Sequence, residues 1–427
     1  MSTRVIRRIL VVTLVGGLMA AHPGRAVAQD ADVVIEWNRI LQATIGTPGA
    51  LPPTVFFTRP YAMMHIAVFD ALNSIDPVYT PYAIQDRAPN ASREAAAAQA
   101  AHDVLAALFP NQRAIFATSL SGTLSRLPAD AAREGSRVGT AAARAVLDLR
   151  ANDGWNRLPP PYLLPDLPGF YQVTPPQNAV VTFTHYQDVL PFVIGSRSQF
   201  LMEPPPALTT ERYATDFNEV KRIGSATSTT RTEEQTNIAR RWAGVGYSTA
   251  SLGVWNNVIR DLARRNSLSG LDTARVYALE NIAVHDGLLT TFSAKFLYGL
   301  WRPVTAIRAA DRDGNPATEA DPTWNTLIPT PPYPSHPGNM ACIAATSARL
   351  LTRAFGRDDI PFAVTWTGIN QPDITRSYNG FRQLADEEAV SRIYGGIHFT
   401  FETTASFGVC TALADYVYEN NLRRRLQ

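Results

Sequence analysis

Apolar residues recur at three- and four-residue spacing along most of the chain, and strict alternation of apolar and polar positions is nearly absent. That periodicity predicts an almost wholly α-helical fold. "RPYAMMHIAVFDALNSI" (59–75) carries apolar positions at i, i+3 and i+4, and an Ala-, Leu- and Arg-rich stretch from 92 to 151 is broken at Pro110 and Pro128. Three helices in series are expected there, with the 59–75 helix packed on them. Between 152 and 212 the pattern changes: "NRLPPPYLLPDLPGFYQVTPPQ" and "FLMEPPPALTT" exclude long helices and central strands. Trp155, Phe170, Tyr171, Phe183, Tyr186, Phe192 and Phe200 predict an ordered, aromatic-pinned connection in place of a solvated linker. Helical periodicity returns in "ERYATDFNEVKRIG", "RTEEQTNIARRWAG" and "LDTARVYALENIAVHDGLLTTFSAKFLYGLWRP", then from 338 to 355 and from about 399 to 422. The organisation read is one helical domain, with an N-terminal half (29–151), a connection (152–212) and a C-terminal half (213–427).

The first residues change the picture of where the protein works. Arginines at 4, 7 and 8, an apolar run from Ile9 to Ala20 and Ala26-Val27-Ala28 read as a signal peptide of about 28 residues, with the mature chain starting at Gln29. Arg7-Arg8 leaves Sec and Tat export both open. No later stretch approaches about 18 uninterrupted apolar residues, so no membrane insertion is expected after leader removal, and the location is read as secreted or periplasmic. Cys342 and Cys410 are read either as one disulfide or as two buried thiols. A net charge of +2, with no basic run beyond the terminal "LRRRLQ", argues against nucleic acid as a partner.

Two stretches carry candidate chemistry. In "AKFLYGLWRPVTAIR", Lys295 and Arg302 stand seven residues apart, which on one helix puts both cations on the same face. Phe296, Leu297, Tyr298, Leu300 and Trp301 crowd them with apolar surface, which suggests a shared anion. In "AVSRIYGGIHFTFETT", Gly395-Gly396 allows a bend across which Arg392 and His398 face one point. Three cations and an imidazole suit a tetrahedral oxyanion. His65 and His285 read as helix-packing residues.

Lys295-x6-Arg302-Pro303, a proline-rich loop before a helix, and Ser391-Arg392-x5-His398 together resemble the three-part signature of the vanadium-dependent haloperoxidase and type 2 phosphatidic acid phosphatase superfamily. The flanks "DFNEVKRIGSATSTTRTEEQ", "WRPVTAIRAADRDGNPATEADPTW" and "PTPPYP" resemble its soluble secreted haloperoxidase-like branch. The resemblance implies two packed four-helix groups, an anion pocket at the end of the second, and vanadate as cofactor. Lys295, Arg302 and Arg392 would hold its oxygens, and His398 would be the vanadium ligand or, on a phosphate ester, the nucleophile. The middle motif Pro-Ser-Gly-His departs here to Pro337-Gly338-Asn339-Met340. The N–H groups of Gly338 and Asn339 and the Asn339 amide are then expected at the oxyanion, while a thioether replaces the acid/base imidazole. His336, four residues before Met340, either reaches back as acid/base or is an exposed turn residue. Three functions follow: a haloperoxidase using hydrogen peroxide, halide and a small organic acceptor; a phosphatase; or an oxyanion-binding homologue without catalysis. The resemblance also admits a homodimer.

Overall fold

Prolines and capping side chains set the helix boundaries. The computed structural model describes residues 23–51, 55–163, 165–245, 251–369 and 372–425. The expected leader lies outside these through residue 22; from residue 23 the chain is already in helix α1 (Pro23–Gly46). α2 (Thr58–Ile75), α3 (Arg93–Leu108), α4 (Arg113–Leu124) and α5 (Ala129–Leu149) follow, with the expected breaks at Pro110 and Pro128. Ser92 caps α3 by accepting the Ala95 N–H at 3.2 Å, satisfying one of the donors a helix start leaves unpaired.

The C-terminal half contributes α6 (Glu211–Ile223), α7 (Glu233–Trp242), α8 (Ser251–Arg265), α9 (Gly270–Tyr298), α10 (Pro303–Arg308), α11 (Asn339–Phe355), α12 (Phe381–Tyr394) and α13 (Thr400–Asn420). Helices α1, α8, α10 and α12 and one antiparallel hairpin, β1 (Phe362–Trp366) with β2 (Ile374–Tyr378), add to the elements read from periodicity. The hairpin does alternate, burying Phe362, Val364 and Trp366, but over five residues only.

α1, α2, α3 and α5 pack as one group, and α9, α11, α12 and α13 as a second. α9 belongs to both, because it also packs against α1 and α2. Its sequence shows why: from Gly270 to Lys295 nearly every position is buried, the mark of a helix with no solvent face. On one side Tyr277 stacks on His65 of α2 with centroids 4.6 Å apart, Asn281 reaches the same ring, and His285 Nδ1 is 2.8 Å from Thr58 Oγ1. On the other, Glu280 accepts from Ser347 of α11 at 2.9 Å, and a Cβ on Gly287 would lie 2.9 Å from Cys342 Sγ, so only glycine lets α11 approach. His65 and His285 are thus packing residues, as read.

The connection is ordered by its aromatics. Trp155, Tyr171, Phe183, Tyr186 and Phe192 are buried, and Phe200 is half-buried; Phe170 differs, at 39% exposure, since its backbone and not its ring holds it against Leu300. Asp286 of α9 fastens the segment by accepting the N–H groups of Phe192, Val193 and Ile194 at 2.7, 2.9 and 3.1 Å.

Cys342 and Cys410 are joined, tying α11 to α13 across 68 residues of sequence. Reduction is expected to lower the melting temperature, since a loop of that length constrains the unfolded chain by about 4 kcal/mol. Thermal unfolding with and without dithiothreitol checks this, and identical transitions would contradict it.

Candidate oxyanion site

The site begins where α9 ends. Gly299 takes a left-handed conformation (φ 60°) and closes the helix, and a Cβ there would lie 2.9 Å from the Tyr162 hydroxyl. Arg302 is therefore not on the helix of Lys295. It caps α10 in an extended conformation, so the shared-face expectation for these two cations is corrected. They converge because both hold the same proline loop: Lys295 Nζ donates to the carbonyls of Pro334, Ser335 and Pro337, and Arg302 Nε to that of Tyr333 at 2.9 Å. The Tyr333 ring lies between them, 5.0 Å from Arg302 Cζ and 5.5 Å from Lys295 Nζ.

The second half comes from the bend between α12 and α13. Arg392 sits in the last turn of α12, and Gly396 (φ 80°) reverses the chain where a Cβ would be 2.3 Å from Gly224 O. His398 then projects beside Arg302, with Nε2 3.2 Å from Arg302 Nη1. A guanidinium only donates, so Nε2 accepts and the imidazole proton sits on Nδ1. Nδ1 donates in a short hydrogen bond to Glu402 Oε2, one helical turn further on α13. Glu402 was not singled out from sequence, although a carboxylate four residues after a histidine at a helix start is a legible signal. Tyr333 was equally missed; the only hint was an aromatic inside the proline loop.

Burial governs the electrostatics. It holds the Lys295 ammonium well below its usual range, with Arg302 adding repulsion, and lowers Arg302; Arg392 falls to about 10. His398 is pushed well below 6.5 by burial and then by Arg302, Lys295 and Arg392, which keeps it neutral. Burial raises Glu402 to about 7 against the pull of Lys295 and Arg302. Among the described residues, no carboxylate forms an ion pair with any of the three cations. Elsewhere in this protein buried arginines are paired: Arg59 and Arg150 both bind Asp153, at 2.7 and 3.0 Å. Three buried cations without a counter-ion are costly unless an anion joins them.

Unused donors mark where it would sit. Arg302 Nη2 and Arg392 Nε are buried without a partner, whereas the Asn339 amide is engaged by the Tyr333 hydroxyl and its unpartnered Oδ1 can only accept. Lys295, its three donors spent on carbonyls, offers charge and not a hydrogen bond. Two expectations are corrected. The Gly338 N–H is occupied, donating to Glu402 O at 3.2 Å, so it is not free for an anion. His336 is not an exposed turn residue and makes no hydrogen bond to this cluster, although Lys295 adds to the burial that lowers its pKa: it is 1% exposed, its Nε2 bonds Glu203 O at 2.8 Å, and its ring packs on Tyr298 and Phe401. Met340, at the start of α11, is half-buried against the main core.

Glu402→Gln is expected to lower anion affinity at least about tenfold, the usual scale for losing a partner that orients a ligating imidazole. The amide can donate to Nδ1, moving the imidazole proton to Nε2 and removing the lone pair that faces the cluster. Calorimetric titration with orthovanadate measures it; unchanged affinity would contradict the orientation described, and Glu402→Asp should recover part of the loss.

Fold and site together define a mostly helical protein with a buried cationic cluster that, among the described residues, makes no ion pair with a carboxylate and faces one neutral imidazole. Residues 275–425 match the family described as the VCPO second helical-bundle domain. The chain is 24% identical over 503 residues to the vanadium chloroperoxidase of Curvularia inaequalis, covering 91% of this chain and 81% of that one. Its fold is shared with a bacterial vanadium-dependent iodoperoxidase (TM-score 0.78, 22% identity, 94% and 98% of the two chains). It is shared also with the holo form of a bacterial vanadium-dependent chloroperoxidase (TM-score 0.69, 16% identity, 90% and 97%). Residues 275–425 thus match a vanadium chloroperoxidase domain family, and the fold of the chain is that of the vanadium haloperoxidases.

Proposed function

We propose that this protein is an exported, vanadate-dependent haloperoxidase. The observation that carries the reading is the set of three buried cations without a counter-ion around His398 Nε2. The donor set fits a tetrahedral oxyanion: Arg302 Nη2 and Arg392 Nε would donate to its oxygens, and Lys295 would contribute charge. His398 would present Nε2 to the central atom, held in the right tautomer by Glu402. Bound there, vanadate supplies an electrophilic centre that activates hydrogen peroxide toward a halide. The residues bind and orient the anion, and the Tyr333 ring covers the cations from water.

Met340 counts against the phosphatase alternative. Cleaving an ester at neutral pH calls for an acid to protonate the leaving alkoxide, and His398, as nucleophile, could not also serve as that acid. Export is supported by the leader-like residues 1–28 and by the Cys342–Cys410 disulfide, which suits an oxidising compartment. N-terminal sequencing of the mature protein should begin at Gln29.

The deciding assay gives purified protein orthovanadate, hydrogen peroxide and bromide or iodide, beside p-nitrophenyl phosphate in parallel. Vanadate-dependent halide oxidation is the expected result. Phosphate hydrolysis inhibited by vanadate would favour the phosphatase, and tight vanadate binding with neither activity would favour a binding protein.

A further inference from the structure

The proline-rich connection does more than join the two halves. Together with the loop bearing Tyr333 it encloses a cavity of about 740 Å³, within the size range of small-molecule sites. Its walls are apolar: Pro159, Pro160 and Pro161 stiffen one side, and Phe56, Phe183 and Tyr333 supply aromatic surface. No charged side chain lines it among the described residues, so it is unsuited to an anion or a cation and suited to a neutral molecule.

Two features mark it as a built site. The first is His185, which lines the cavity and is 3% exposed; its one polar neighbour is a Trp155 backbone group outside good hydrogen-bond geometry, which leaves at least one ring nitrogen without a partner. A buried imidazole left so can take a partner from a ligand. The second is Phe183, whose φ of 65° is a conformation bulky residues rarely adopt. Strain of that kind persists where surrounding structure imposes it, and here the residue two before His185 also forms the cavity wall. Tyr333 connects the cavity with the cationic cluster, since its ring lines the one and carries Arg302 and Lys295 of the other.

We propose that this cavity binds a neutral aromatic molecule bearing a hydroxyl group, hydrogen-bonded to His185, as the organic acceptor of the oxidised halogen. The acceptor role rests on the haloperoxidase reading; the binding site does not. The reaction balances as halide, hydrogen peroxide, arene and one proton giving the aryl halide and two waters. Peroxide is the two-electron oxidant, the aryl C–H bond is replaced by a C–halogen bond, and the arene proton leaves to solvent. Holding the arene beside Tyr333 would let halogen transfer occur before the oxidised species diffuses away.

The test uses 1-naphthol, titrated by fluorescence or calorimetry into the full-length mature protein without vanadate. Saturable binding is expected, weakened about tenfold in Val180→Asp at the mouth and about fivefold in His185→Phe. Val180 is 81% exposed, so its substitution leaves the fold intact. 1-Methoxynaphthalene should bind wild type and His185→Phe alike. Absence of saturable binding, or equal affinity in wild type and both variants, overturns the site. So does a dimer that covers the mouth and excludes the ligand.

With vanadate, peroxide and bromide, the ratio of 2- to 4-bromo-1-naphthol should depart from that given by free hypobromous acid and return to it in Val180→Asp. A wild-type ratio equal to that of free hypobromous acid overturns the acceptor role. Failure of the haloperoxidase reading shows separately, as absent bromide oxidation with no naphthol present.

Discussion

His398→Ala is expected to abolish vanadate-dependent halide oxidation, with a fall in kcat/KM of roughly a thousandfold or more, equivalent to about 4 kcal/mol. The magnitude follows from what the alanine removes. Among the described residues His398 is the one imidazole hydrogen-bonded to the cation cluster: Arg302 Nη1 donates to its Nε2, and Glu402 fixes its tautomer. Without it Glu402 becomes a buried carboxylate beside cations, free to turn toward Lys295 and Arg302 and act as an internal counter-ion. Vanadate would then compete with a resident carboxylate, so affinity should fall together with turnover. Equilibrium dialysis with orthovanadate gives the first quantity and steady-state iodide oxidation the second. Unchanged vanadate affinity in His398→Ala would move the oxyanion site elsewhere in the molecule.

Arg392→Met should separate stability from binding in opposite directions. Among the described residues the Arg392 guanidinium makes no ion pair, and its Nε is buried without a partner. Burial lowers its pKa from its ordinary value to about 10. A base depressed on folding binds its proton more tightly in the unfolded chain, so its cost is fully present below about pH 10 and is relieved only as pH rises above that. At neutral pH, without an anion, replacing it with methionine is expected to raise the melting temperature. With saturating vanadate the order should reverse. Wild type gains RT ln(1 + [L]/Kd) from the ligand, and the variant loses a charge-assisted contact of about 2–5 kcal/mol, roughly 30- to 4,000-fold in affinity. Differential scanning fluorimetry at pH 7 across a vanadate series reads both effects. A variant less stable than wild type in vanadate-free buffer would mean that Arg392 is satisfied by the protein itself.

Most of the helices were legible because their apolar positions recur at the 3.6-residue period and because Pro110, Pro128 and the capping residues punctuate them. The cationic residues and His398 were legible because their types and order resemble a known signature. What sequence spacing misjudged was the means of convergence. Lys295 and Arg302 looked like neighbours on one helix, but Gly299 ends that helix, and the two meet by gripping the carbonyls of a loop more than thirty residues away. Main-chain partners carry no sequence signal. The same reason hid the fate of the Gly338 N–H, which a carbonyl of α13 takes. Glu402 was within reach of the spacing rule, whereas the position of Tyr333 depended on how the proline loop folds back over α9. His336 drew notice as the only histidine in that loop, and its backbone partner at Glu203 directs it away.

The double membership of α9 has a bearing on modularity. A helix clad on one side by Thr58 and His65 and on the other by Ser347 and Cys342 has no face that a separated half could show to water. Cutting the chain between the halves would strip Tyr277, Asn281 and His285 of their partners and loosen the rod whose last turn carries Lys295. Chimeras that exchange the anion-binding half between relatives would therefore have to carry α2 along with it. The inheritable unit of this chemistry is the pair of bundles joined at their common axis, although every residue of the cluster lies in the C-terminal half of the chain.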